Sequence, residues 1–188
     1  MSRAPTRSRA RRADAERNRE KIVAAARAAF ADGGGEVSMA AVARRAGVGM
    51  ATLYRNFPSR QALLMAVYVD DVNAVCAAAE ATQGESPGAA FAAWLRRFFA
   101  FVYGKRPVGA ELLKDPGAGV EFLDAGRDRV LAAARPLLAA AQRSREVRAD
   151  LTLEQVLELV VAVARIEGDD RFVDPILQTV LDGLRPAG

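Results

Sequence analysis

VSMAAVARRAGVGMATLYRNFPSR, residues 37–60, carries two short apolar periodicities separated by a glycine. Ser38 suits a helix N-cap, because its hydroxyl can accept a backbone N–H of the first turn. Met39, Val42, Ala43 and Ala46 follow at spacings that share one helical face. Gly47 tolerates positive φ at no steric cost and ends that helix at a corner, and Val48 plugs the angle between two helices. Gly49 and Met50 open a second short helix through Asn56, which Pro58 ends. Two short helices joined by a glycine-containing turn form a helix-turn-helix.

In the second helix Leu53 and Phe57, four apart, face inward, with Met50 or Ala51 helping them. Thr52, Tyr54, Arg55 and Asn56 then face outward or flank, a surface rich in donors. Arginine reads guanine edges in a major groove, and threonine meets a base or a thymine methyl. Tyr54, Asn56 and Arg60 suit phosphate oxygens, which position a helix without reading sequence. The bare spacing also fits a solvated polar face in a small bundle.

The segment TLYRNFPSRQAL (Thr52–Leu63), with VARRAGVG (Val42–Gly49) just upstream, resembles the TetR family of bacterial transcriptional regulators. The resemblance spans about residues 17–68, and its TLY-x-x-F-x-s-(K/R) core is specific. It implies an all-helical homodimer with an N-terminal DNA-binding domain and a variable C-terminal ligand domain. It also implies that Thr52 contacts a base and that Tyr54, Asn56 and Arg60 contact phosphates. Asn56 stands where many members carry His, and asparagine can still donate to a phosphate. Ser38, Arg44, Gly49 and Met50 complete the expected DNA-facing set. The identity of the effector does not carry over.

Composition narrows the chemistry. The 188 residues include no histidine and one cysteine, Cys76. That excludes a disulfide framework, a cysteine zinc site and histidine-based triads. No paired carboxylates or Ser/Lys constellation stand at telling spacing, so no enzyme, catalytic residue, metal or cofactor is expected. Residues 1–60 hold 13 Lys and Arg against 5 Asp and Glu, and residues 61–188 hold 14 against 18. A basic front and an acidic back fit a DNA-facing domain joined to one that stays off DNA. No run of 18 apolar residues and no signal-peptide pattern are found, which sets a cytoplasmic expectation.

The remaining chain reads as supports and a switch. Residues 1–13 form a flexible basic arm whose Arg9, Arg11 and Arg12 can lie along phosphates or enter a minor groove. A first helix runs from Asp14 to Ala31 or Asp32 and buries Ile22, Ala26, Ala29 and Phe30; Gly33 to Gly35 stop it. These elements make a DNA-binding domain over 14–58, and 59–188 form a helical ligand-binding and dimerisation domain. A connecting helix, 59–81, belongs to both halves, so a ligand that shifts it would re-aim the recognition helix. Residues 82–88 are a turn-rich boundary.

Helix 87–103 is crowded with aromatic residues. Trp94, Phe98, Phe101 and Tyr103, with Phe122 and Arg127 from a helix over 120–144 kinked at Pro136, are the candidate ligand pocket. Residues 104–119 read as a broken segment. Two last helices, 152–166 and 171–184, are broadly apolar. Leu153, Val156, Leu157, Val160, Val161, Ile176, Leu177, Val180, Leu181 and Leu184 are their expected dimer interface in a two-fold four-helix bundle. The expected function is a repressor bound to a pseudo-palindromic double-stranded DNA operator and released by an apolar or aromatic small molecule. Sequence-indifferent architectural DNA binding is the alternative.

Overall fold

A computed structural model describes residues 6–31, 37–81, 86–112 and 118–186. The glycine run 33–35, the boundary 82–85 and residues 113–117 lie outside the described residues. Within them every regular element is a helix: α1 (Thr6–Ala31), α2 (Met39–Ala46), α3 (Met50–Asn56), α4 (Arg60–Ala81), α5 (Pro87–Leu112), α6 (Ala118–Arg143), α7 (Leu153–Ala164) and α8 (Asp170–Gly183). The all-helical expectation holds. The chain divides into two compact units, Met1–Val69 and Asp70–Gly188, and the division falls inside α4.

The first unit is built around the corner between α2 and α3. The Ser38 hydroxyl accepts the Ala41 N–H at 3.1 Å and caps α2. Gly47 ends α2 at φ 67° and ψ 32°. Its N–H donates to Arg44 O at 3.2 Å, and the Val48 N–H donates to Ala43 O at 3.0 Å. This pair of bonds is a Schellman closure, which needs a left-handed residue at its centre. The turn brings Val42 and Ala43 of α2 together with Leu53, Phe57, Leu63 and Val67, against Ile22, Val23, Ala25 and Ala26 of α1. Val48 packs on this core from its edge.

In the second unit α5 packs on α6 and α7, and α7 packs on α8. Thr152 and Gln155 form a reciprocal capping box at the start of α7, and Asp169 caps α8. Glu146, in the turn after α6, reaches back to the start of α5. Its carboxylate accepts from the Ser86 hydroxyl and from the Gly88 N–H, the latter at 3.2 Å. A carboxylate there also meets the positive end of the α5 dipole. The Ser86 hydroxyl, then Ser144 and the Gly88 amide, hold the Glu146 carboxyl below its ordinary value.

Two elements depart from the sequence expectation. α1 starts at Thr6, not Asp14, because alanine and arginine are strong helix formers and local propensity outweighs like-charge repulsion. The side chains of Arg9, Arg11 and Arg12 lie outside the described residues. α5 continues through Gly104 to Leu112, where a broken segment was expected; Val108 and Leu112, four apart, are both buried and extend its apolar side. α6 holds Pro136 inside its length, as the expected helix over 120–144 does. α4 is also more apolar than expected: one window has a mean hydropathy of 1.5, in the range of a membrane span. Its Leu63, Leu64, Val67 and Val72 are buried inside the protein, as a core helix requires.

Two outcomes test this description. Gly47→Ala places a β-carbon in the left-handed region and is expected to cost about 1–2 kcal/mol. Gly49→Ser, at φ −72°, adds a cap oxygen without that cost. Urea denaturation monitored by circular dichroism separates the two. Glu146 has a depressed folded pKa, so its contribution is present above pH 4.5, its ordinary value, and is lost as the pH falls through the folded value. Glu146→Gln is therefore expected to lower the urea midpoint at pH 7 and to match wild type in strong acid.

Candidate nucleic-acid interface

α3 has seven residues and two distinct sides. Leu53 and the C-cap Phe57 are fully buried. Met50 (40% exposed) and Tyr54 (47% exposed), one turn apart, lie in solvent with Ala51 and Arg55. The sequence assigned Met50 or Ala51 to the core; both face outward instead. Leu53 and Phe57 already fill the space against Ile22 and Ala26. Large apolar side chains left in solvent on a short helix need a reason, and a partner surface supplies one.

The polar residues of α3 are ordered along their own helix. Arg55 Nε donates to the Ala51 carbonyl at 3.1 Å, and its Nη2 donates to the Thr52 hydroxyl at 3.1 Å. The Asn56 amide donates to the Thr52 carbonyl at 2.8 Å. Tyr54 makes no hydrogen bond within the described residues, so its hydroxyl is available to an acceptor. Arg44 and Arg45, exposed in the last turn of α2, add positive charge in the same unit. Gly49 caps α3 through its backbone alone, and Ser38 is exposed while capping α2.

Arg60 is placed differently from the other candidates. It is half-buried, Nη1 donates to the Val37 carbonyl, and its guanidinium lies 5.7 Å from the centre of the Phe30 ring. Three residues earlier, the Phe57 ring has the Arg19 guanidinium 4.6 Å over it. Neither contact was legible in the periodicity, since both join residues distant in sequence.

Residues 22–67 match the family model of bacterial regulatory proteins of the tetR family. Residues 86–186 match the model of the SbtR-like transcriptional regulator C-terminal domain. A TetR transcriptional regulator from Streptomyces coelicolor is 33% identical, with a TM-score of 0.76 over 90% of this chain and 99% of its own. The chain belongs to the TetR family. A TetR regulator from Mycobacterium vanbaalenii is 35% identical, with a TM-score of 0.72 over 93% of this chain and 99% of its own. Salmonella enterica GusR, 22% identical, shares the fold with a TM-score of 0.65 over 89% of this chain and 93% of its own. Among curated proteins none matches.

In this TetR-family regulator the expected pocket residues differ in their surroundings. Trp94 is fully buried, its ring stacked with Phe98 at 5.6 Å and with Phe91 at 6.3 Å, and its Nε1–H donates to the Val75 carbonyl at 3.1 Å. Phe101 and Phe122 are half-buried. Arg127 is exposed and pairs with Glu158 at 3.7 Å. Tyr103 lines a described cleft. Its hydroxyl donates to the Gly168 carbonyl at 2.9 Å. That cleft, of about 670 Å³, is walled by Phe99, Tyr103, Asp170, Asp174 and Leu177. A second, of about 450 Å³, lies between Phe91, Glu146, Leu181 and Arg185. The two share Arg96 and Gln178, which hydrogen bond to each other.

The expected dimer set divides by burial within the single chain. Leu153, Val156, Leu157, Val160, Leu177, Leu181 and Leu184 are buried within their own chain. These stripes are the most continuous in α7 and α8, and they seal the unit's own core. Val161, Ile176 and Val180 are half-buried. Apolar residues that keep exposure are Leu159 (43% exposed), Ala162 and Ile166 in and just after α7, and Phe172 (58% exposed) in α8, where the expected Ile176 and Val180 also lie.

Proposed function

We propose that this regulator is a homodimeric repressor that sets α3 of each subunit into successive major grooves of a pseudo-palindromic operator and is released by a small-molecule effector. The observation that carries the DNA reading is the two-sided α3. Leu53 and Phe57 fix the helix to its unit, while Met50, Thr52, Tyr54 and Arg55 remain outward. Thr52 and Arg55 read bases, Tyr54 and Asn56 hold phosphates, and Arg44 supplies charge. Residues 14–58 act as the DNA-binding domain and 59–188 as the ligand-binding and dimerisation domain, with the arginine-rich start of α1 before Asp14 adding basic charge.

Dimerisation is assigned to a face made by Leu159, Ile166, Phe172, Ile176 and Val180. An exposed apolar face of this kind on two adjacent helices suits an isologous contact, in which each residue meets its symmetry copy or a neighbour. The effector is an apolar or aromatic molecule, and the cleft lined by Phe99 and Tyr103 is the best supported place for it. An effector preferring the DNA-incompetent state shifts the population off the operator by its difference in affinity for the two states.

Duplexes selected by the wild-type protein from a randomised pool test the DNA reading, with anisotropy against scrambled DNA as the readout. Tyr54→Ala is expected to weaken binding to every duplex, and Thr52→Ala to change which duplexes are preferred. Arg44→Ala should lower the slope of log K against log salt by about one. Equal wild-type affinity for selected and scrambled duplexes would replace this function with architectural DNA binding. For the dimer, Leu159→Glu with Phe172→Glu is expected to give monomers in analytical ultracentrifugation with helical content unchanged. Wild-type mass in that double variant would move the interface elsewhere.

A further inference from the structure

A cation at the first position of α4, directly after the recognition helix, suggests a phosphate anchor, the role that resemblance gives Arg60. Its surroundings point elsewhere. Nη1 donates to the carbonyl of Val37, the residue before the Ser38 cap of α2. The guanidinium also lies over Phe30, a buried residue in the last turn of α1, at 5.7 Å. One side chain thus joins the end of α1, the lead-in to α2 and the start of α4. Three residues earlier, Phe57 is fully buried with the Arg19 guanidinium 4.6 Å over its ring. The corner between α3 and α4 is therefore held to the rest of its unit at two points.

We infer that Arg60 is a positioning residue: it fixes the corner after α3, and so the angle at which α3 meets DNA, and it does not anchor a phosphate. This rests on α3 being the DNA-reading element. A helix of seven residues has little stability of its own. α3 also lacks a side-chain cap, since Gly49 starts it. Its orientation must come from its two buried side chains and from whatever fixes its end. Guanidinium chemistry suits that task, because a planar fork can donate in its plane while its face lies on an aromatic ring. A lysine ammonium offers the same charge without that geometry.

The experiment is a salt series of anisotropy titrations on a wild-type-selected duplex and a scrambled one, for Arg60→Ala, Arg60→Lys and Phe30→Leu. Arg60→Ala is expected to lose roughly tenfold or more on the selected duplex and much less on the scrambled one. Its salt slope should equal that of wild type. Arg60→Lys should fail to restore affinity, and Phe30→Leu should reproduce the loss without adding to it in the double variant. A slope lower by about one in Arg60→Ala, or full rescue by Arg60→Lys, would overturn the inference in favour of a phosphate contact. Wild-type affinity and discrimination in Arg60→Lys and Phe30→Leu, with only the unfolding midpoint lowered, would overturn it too. Should Arg60→Ala not fold, the lysine and Phe30 variants carry the test. Tyr54→Ala, run alongside, reports on α3 as the DNA-reading element and is indifferent to the Arg60 clamp.

Discussion

The burial of Leu53 and Phe57 against α1 is the constraint on which the DNA-facing unit depends. These two residues are the only inward anchors of a seven-residue helix, and both are fully enclosed. Because they take up the available core, Met50, Ala51, Tyr54 and Arg55 have nowhere to go but outward. The left-handed Gly47 sets the corner that lets α2 and α3 share that core. A surface competent for a groove is thus a by-product of satisfying a small hydrophobic core.

The second unit uses its aromatic residues for a similar purpose. Trp94 sits at the middle of a stack with Phe91 and Phe98, and its one polar atom finds the Val75 carbonyl. A buried indole with its N–H satisfied is a large packing element at the centre of this unit. Two clefts among the described residues are bridged by Arg96 and Gln178, with Tyr103 tethered to the turn before α8.

In the last two helices, competition between internal and external packing decides which residues a partner can reach. α7 is apolar nearly all round, so one side can seal the subunit while Leu159 and Ala162 stay outside. α8 divides in the same way, with Val173, Leu177 and Leu181 inward and Phe172 outward. Apolar pattern alone ranks the inward stripe higher, because it is longer and more regular.

Much of the fold was legible from local chemistry. Ser38, Gly47 and Gly49 marked the limits of α2 and α3 through capping and φ, and the spacing of Leu53 and Phe57 marked the buried side. Those signals act within one helical turn, so sequence carries them. Sequence was weaker where distant segments compete for one space. It placed Met50 or Ala51 inward, gave the inward stripe of α7 to a partner and ended α5 at 103. It also could not see that Arg60 reaches Val37 and Phe30, since those partners lie far along the chain. Periodicity tells which side of a helix is apolar; only the packed structure tells which of several apolar or cationic groups fills a given volume first.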